Sequence, residues 1–186
     1  IPAAPAIGTR GEFHIVPRRR NGARGRWIGR MALFLSTTTN KIDRKGRVSI
    51  PAPFRNALAG LPFQGIVAIP SFKYPALQCS GMDWLEQLSN GIGAYDFFSD
   101  EHDALTAALF ANAQQLAFDG DGRIVLPGEL AAHAHITEQA AFVGRGPTFE
   151  IWEPEAFRAY QAEATQRAAQ QSLTVRPAAN PDGGAS

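Results

Sequence analysis

Between residues 41 and 55 the chain sets Lys41, Arg44, Lys45, Arg47 and Arg55 around a single acid, Asp43. Five cations against one carboxylate give this window a local charge of +4. A guanidinium fork suits guanine edges and phosphate oxygens, and a lysine ammonium suits phosphate as a point charge. The chemistry on offer is recognition of a polyanion, not bond making. The same phrase returns 76 residues later: Asp43-Arg-Lys-Gly-Arg-Val-Ser-Ile-Pro is matched by Asp119-Gly-Asp-Gly-Arg-Ile-Val-Leu-Pro, and the register extends to Phe34 with Phe110 and Phe54 with Leu130. A repeat of this length means two related halves. The halves differ in charge. Residues 117–131 hold Arg123 against Asp119, Asp121 and Glu129, a local charge of −2. Duplex DNA carries roughly one negative charge per 1.7 Å of axis, so the first copy would attract it and the second repel it. A solvated charged edge would read the same way in sequence. Asp43 with Arg47, and Asp119 with Arg123, each span a glycine-containing turn, and a structural ion pair is the natural reading of both.

The remaining reactive side chains form no constellation. Asp119-Gly-Asp-Gly starts like a calcium loop, but Arg123 and Leu130 stand where the fifth and twelfth positions need oxygen ligands. His133 and His135 have no third or fourth zinc ligand nearby. His102 sits among Asp100, Glu101 and Asp103, a helix-start charge cluster. Cys79 is the only cysteine, so there is no intramolecular disulfide; its apolar neighbours place it in a core. No nucleophile–base arrangement, phosphate loop or dinucleotide fingerprint is present, so neither an enzyme, a cofactor nor a metal is expected.

The elements that would position the charged turns read the same in both halves. Residues 32–42 are extended with alternating threonines, 43–46 turn, and 47–50 form a short strand with Val48 and Ile50 facing the core and Arg47 and Ser49 outward. Pro51 and Pro53 open a helix on which Phe54 and Leu58 stack, with Gly60 as a stop. Residues 65–70 and 76–79 are strands, and Ser80 with Asp83 reads as a capping box for a helix through Leu88. A linking helix is expected from about Asp100 to Ala111 behind Ser99 as N-cap. The second cycle gives an extended segment at 113–118, a turn at 119–122, strands at 123–126, 139–144 and 148–152, a short helix near 128–134, and a helix from Pro154 to about Gln171 with Phe157 and Tyr160 on one face. Neither half is large enough to form much of a core alone, so the two are expected to interleave strands around a shared one.

This gives a domain plan of 1–30, 31–90, 91–112, 113–171 and 172–186: a basic unstructured leader, a first repeat, a linking helix region, a second repeat and a disordered tail. The net charge of +1 hides a split, since residues 1–30 carry seven arginines against Glu12, +6, and the rest carries 11 basic and 16 acidic groups, −5. Any affinity for nucleic acid must therefore come from a local patch. The leader has no apolar core of signal-peptide length, and no run of 18 apolar residues marks a membrane span. Met31 is expected to be the natural start, the leader being upstream sequence read in frame; the alternative is a basic arm that tracks phosphate.

Met31-Ala-Leu-Phe-Leu-Ser, the Asp43 phrase continued through Ala52-Pro-Phe-Arg55, and the Asp119 phrase together resemble the MraZ family, bacterial transcriptional regulators with two SpoVT/AbrB-type repeats in one chain. The similarity covers about residues 31–170. It implies an α+β fold, a small mixed β-barrel of two pseudo-symmetric halves with short helices. It also implies a homo-oligomeric ring that binds tandem double-stranded DNA repeats in the promoter of its own cell-division and cell-wall cluster, usually as a repressor, in the cytoplasm at the nucleoid. The family's Asp-x-x-x-Arg element maps onto Asp43 and Arg47, and again onto Asp119 and Arg123, with Asp121 where the first copy has Lys45. On this reading Arg44, Lys45 and Arg47 contact DNA, Lys41 and Arg55 hold flanking phosphates, and the second repeat completes barrel and ring. The rival is an antitoxin-like or scaffold module of the same superfamily that grips a protein.

Overall fold

The computed structural model describes residues 32–93 and 96–171. The threonine-rich segment forms β1 (Thr37–Lys41), and after the first turn come β2 (Arg47–Ser49) and α1 (Ala52–Leu58). Pro51 and Pro53 sit at the start of that helix, where a missing N–H costs nothing, and Phe54 and Leu58 bury its inner face. The first half continues with β3 (Gly65–Pro70), β4 (Ala76–Ser80) and α2 (Met82–Ile92), then α3 (Asp100–Leu109) links the halves. The second half runs β5 (Gln114–Ala117), β6 (Arg123–Val125), α4 (Gly128–His133), β7 (Gln139–Gly144), β8 (Phe149–Trp152) and α5 (Pro154–Gln170). Ser99 caps α3 as its sequence suggests, accepting the His102 N–H at 3.1 Å. The capping box expected at Ser80 is not formed. Ser80 is the buried last residue of β4, paired with Val67, and Gly81 is the N-cap with no side-chain bond. α2 also runs past Leu88, to Ile92.

All strand pairs are antiparallel, and the halves interleave. One sheet has the order β1-β7-β8-β4-β3-β5, and β2 pairs with β6 in a separate two-stranded ribbon. Exchanging each strand for its equivalent in the other half turns the sheet order into its own reverse, so a local two-fold relates the repeats. At the centre of the sheet Gln78 faces its own equivalent, Glu150. One closed ladder, as a barrel requires, is not present among the described residues. β1 and β5 are the edges of the six-stranded sheet, and the tight turn leaving β1 allows only one bridge to β2, Ile42 with Val48.

The ribbon covers the sheet's inner face. Val48, Ile50, Ile124 and Leu126 meet Ile66, Leu77, Phe142 and Ile151 in a shared core with Cys79 inside it. Phe34, Phe54 and Phe149 meet there with ring centroids 4.9–5.3 Å apart, tilted and edge-on as aromatic quadrupoles prefer. On the outer face Trp152 stacks on Tyr160 at 5.1 Å and packs on Phe157, which docks α5. No described helix is long and apolar enough to cross a membrane.

Candidate nucleic-acid interface

The two turns have one backbone design. Asp43 Oδ1 accepts the N–H of Lys45 at 2.8 Å and of Arg47 at 2.9 Å, and Asp43 Oδ2 accepts Arg47 Nε–H at 2.7 Å. In the second turn Asp119 Oδ1 accepts the N–H of Asp121 at 3.0 Å and of Arg123 at 2.9 Å, and Oδ2 accepts Arg123 Nε–H at 2.8 Å. Gly46 and Gly122 close the turns at φ 75° and 71°, where a side chain would be strained. The Arg47 side chain, then its backbone N–H, hold the Asp43 carboxyl at about 2. Asp119 is lowered too, first by the Arg123 backbone N–H. The sequence marks both pairs as turn-pinning, and this is the geometry found.

The ribbon then sets the turns at its opposite ends. Gly46 carbonyl accepts from Leu126 N–H at 2.8 Å, and Gly122 carbonyl from Ile50 N–H at 3.1 Å. Arg47 stands opposite Val125, and Ser49 opposite Arg123. At the first end Arg44 and Lys45 form an exposed tip, and their side chains have no polar partner among the described residues. Lys41 is exposed at the end of β1, opposite Gln139. Arg47 is two-thirds covered and committed to Asp43, with Nη2 2.6 Å from Oδ2.

The other end carries its own ion pairs. Asp121 reaches back to Arg123, 2.6 Å from Nη2, so Arg123 is shared by two carboxylates. Arg55, expected as a flanking phosphate contact, lies at this end, beside the second turn. Ile50 N–H is bonded to the second turn, so α1 starts beside that turn. The Arg55 guanidinium lies across Gly122, where an added Cβ would clash with it. Its Nη1 donates to the Asp121 carbonyl at 3.4 Å, and its Nε is buried without a partner among the described residues. The window 41–55 is contiguous in sequence, but β2 carries its two ends apart. The only signal for the Asp121 contact was its spacing of two from Arg123; nothing local marked the reach of Arg55 across the halves.

The other candidates stay apart from this face. His133 meets the Ser71 carbonyl at 2.9 Å, tying α4 to the β3–β4 hairpin. Among the described residues no group of three or more His, Cys, Asp or Glu could hold a metal ion. Cys79 is buried, and burial pushes its thiol well above the ordinary range.

Comparison with known proteins gives one answer. The family described as "MraZ protein, putative antitoxin-like" matches residues 109–176. A protein of Rickettsia bellii named "Transcriptional regulator MraZ" is 44% identical over 147 residues, 78% of this chain and 98% of its own length. Proteins of the same name from Rickettsia akari and Rickettsia typhi are each 43% identical, over 80% and 78% of this chain and 99% and 98% of their own. At that identity and coverage, the chain belongs to the MraZ family.

Proposed function

We propose that the protein is a transcriptional regulator that binds specific double-stranded DNA through the turn of its first repeat. The observation that carries this is the Arg44–Lys45 tip, exposed and without a polar partner among the described residues, on a backbone held rigid by Asp43 and Arg47. Arg44 suits a base edge or a phosphate fork, Lys45 and Lys41 suit phosphate, and Arg47 both pins the turn and supports the contact. The names of the relatives and the resemblance described above support the same reading. No catalysis is involved, and the site of action is the nucleoid in the cytoplasm.

One such tip is far smaller than the surface a specific DNA complex buries. The protein therefore acts as a homo-oligomeric ring on tandem promoter repeats, as a repressor of its own cell-division and cell-wall cluster. Linking copies makes each later contact intramolecular and raises apparent affinity roughly 10²–10⁴-fold. Footprinting upstream of the gene locates the boxes, and gel shifts then test the mechanism. Binding should be tight to several boxes and weak to one; an insertion of about five base pairs between boxes should weaken it, and a full helical turn should restore it. Equal affinity for one box and for three would contradict the mechanism.

A second reading, an antitoxin-like module that grips a protein, draws on the family's description and on the exposed Phe72, Phe97 and Phe98. Retained partner binding after loss of the Arg44–Lys45 tip, with no DNA footprint, would favour it.

A further inference from the structure

We infer that the second turn is a complete DNA-reading scaffold held silent by its tip, Gly120 and Asp121, and that these two residues decide that each chain offers one nucleic-acid contact instead of two. The inference rests on the proposed function of the first turn. The two scaffolds agree in the bonds that fold each turn: the paired carboxylate bonds to the second and fourth residues on, the Nε–H contact, and the closing glycine. They also share the ribbon, which relates them by the local two-fold. What differs is the tip. Gly120 presents no side chain, and Asp121 places a carboxylate where the first turn has Lys45. That carboxylate also draws in the Arg123 fork, which Arg47, among the described residues, offers to Asp43 alone.

The second tip has room for the first tip's residues. A Cβ added at Gly120 meets nothing within 4 Å, and Gly120 has no positive φ to defend. Asp121 is 71% exposed at its side chain. Arg55 covers Gly122, not the tip, and bonds the Asp121 carbonyl, which any residue keeps. Replacing Asp121 by lysine releases Arg123 from its second carboxylate, and an arginine at Gly120 completes the pair. A long-range basic surface on the second half is not required, because phosphate attraction acts at the contacts themselves.

The test is the double substitution Gly120→Arg with Asp121→Lys, placed in the full chain and in a chain whose own tip is removed by Arg44→Ala with Lys45→Ala. Gel shifts use DNA carrying the footprinted boxes and scrambled DNA of equal length. A control chain makes the same +3 change in charge on the exposed face of α5, as Ala162→Arg with Glu163→Lys. In the tip-less chain the graft is expected to recover box-specific affinity at least about tenfold, and in the full chain to raise single-box affinity by a similar factor, while the α5 control raises only scrambled-DNA binding. No recovery in a chain that melts like the parent would overturn the inference and leave the first turn's function standing. Equal gains from the α5 control would overturn it as well. Wild-type binding by the tip-less chain would overturn the proposed function, and this inference with it.

Discussion

Val48 stands directly opposite Ile124 in the β2–β6 ribbon, and the two are the same position of the two repeats. Each is 1% exposed, so the local two-fold passes through the core beneath the turns. The charged turns owe their separation to this pair: three ladder positions lie between them, and the buried residues fix the register, since a slip of one would turn Arg47 and Arg123 inward.

Removing the Ile124 side chain should therefore cost stability out of proportion to its place in a three-residue strand. Ile124→Ala is expected to cost about 2–5 kcal/mol, the range for a large-to-small change in a packed core. Ser49→Ala, on the exposed face of the same ribbon, should stay within about 0.5 kcal/mol. Urea denaturation of both variants checks the contrast. Equal, small effects would mean the ribbon does not hold the halves together.

The turns should also give the protein an acid-sensitive component. The Asp43 carboxyl is held at about 2, below its ordinary 3.8, by Arg47. A depressed folded value stabilises the fold above the unfolded value, and that contribution is lost as pH falls through the folded one. Melting temperature should thus fall between about pH 5 and pH 2, and Asp43→Asn should flatten the fall while lowering the plateau at neutral pH. Asp119→Asn should do the same, since that carboxyl is lowered as well.

Cys79 is 1% exposed within β4, and burial disfavours its thiolate. The thiolate is the reactive form, so the folded protein should resist a thiol reagent. Labelling in native buffer is expected to track unfolding and to become complete in denaturant. Rapid native labelling would show that the β3–β4–β8 region opens locally.

The repeated Asp-x-x-Gly-Arg phrase made both turns, both ribbon strands and both short helices legible, because turn chemistry, alternation and a leading proline act over a few residues. The cap at Ser99 was legible for the same reason. The failures were not local. Ser80 has the side chain for a capping box, but its ladder partner Val67, 13 positions earlier, keeps it in the sheet. Closure of the sheet into one barrel depended on how far the turn lets β2 follow β1, which no pattern of apolar residues encodes. Arg55 was grouped with the cations nearest in sequence, whereas the bond from Ile50 to Gly122 carries its helix to the other half. Charge counted along the chain treats residues 41–55 as one patch, whereas the fold sets Arg55 beside the second turn.

The most direct measurement of the central claim is operator binding by the chain carrying Arg44→Glu and Lys45→Glu. Their side chains bond to nothing among the described residues, so the circular dichroism spectrum and melting temperature should stay near those of the parent. Binding to the tandem boxes should be abolished. A double variant that binds the boxes with unchanged affinity would contradict the assignment of the first turn as the DNA contact.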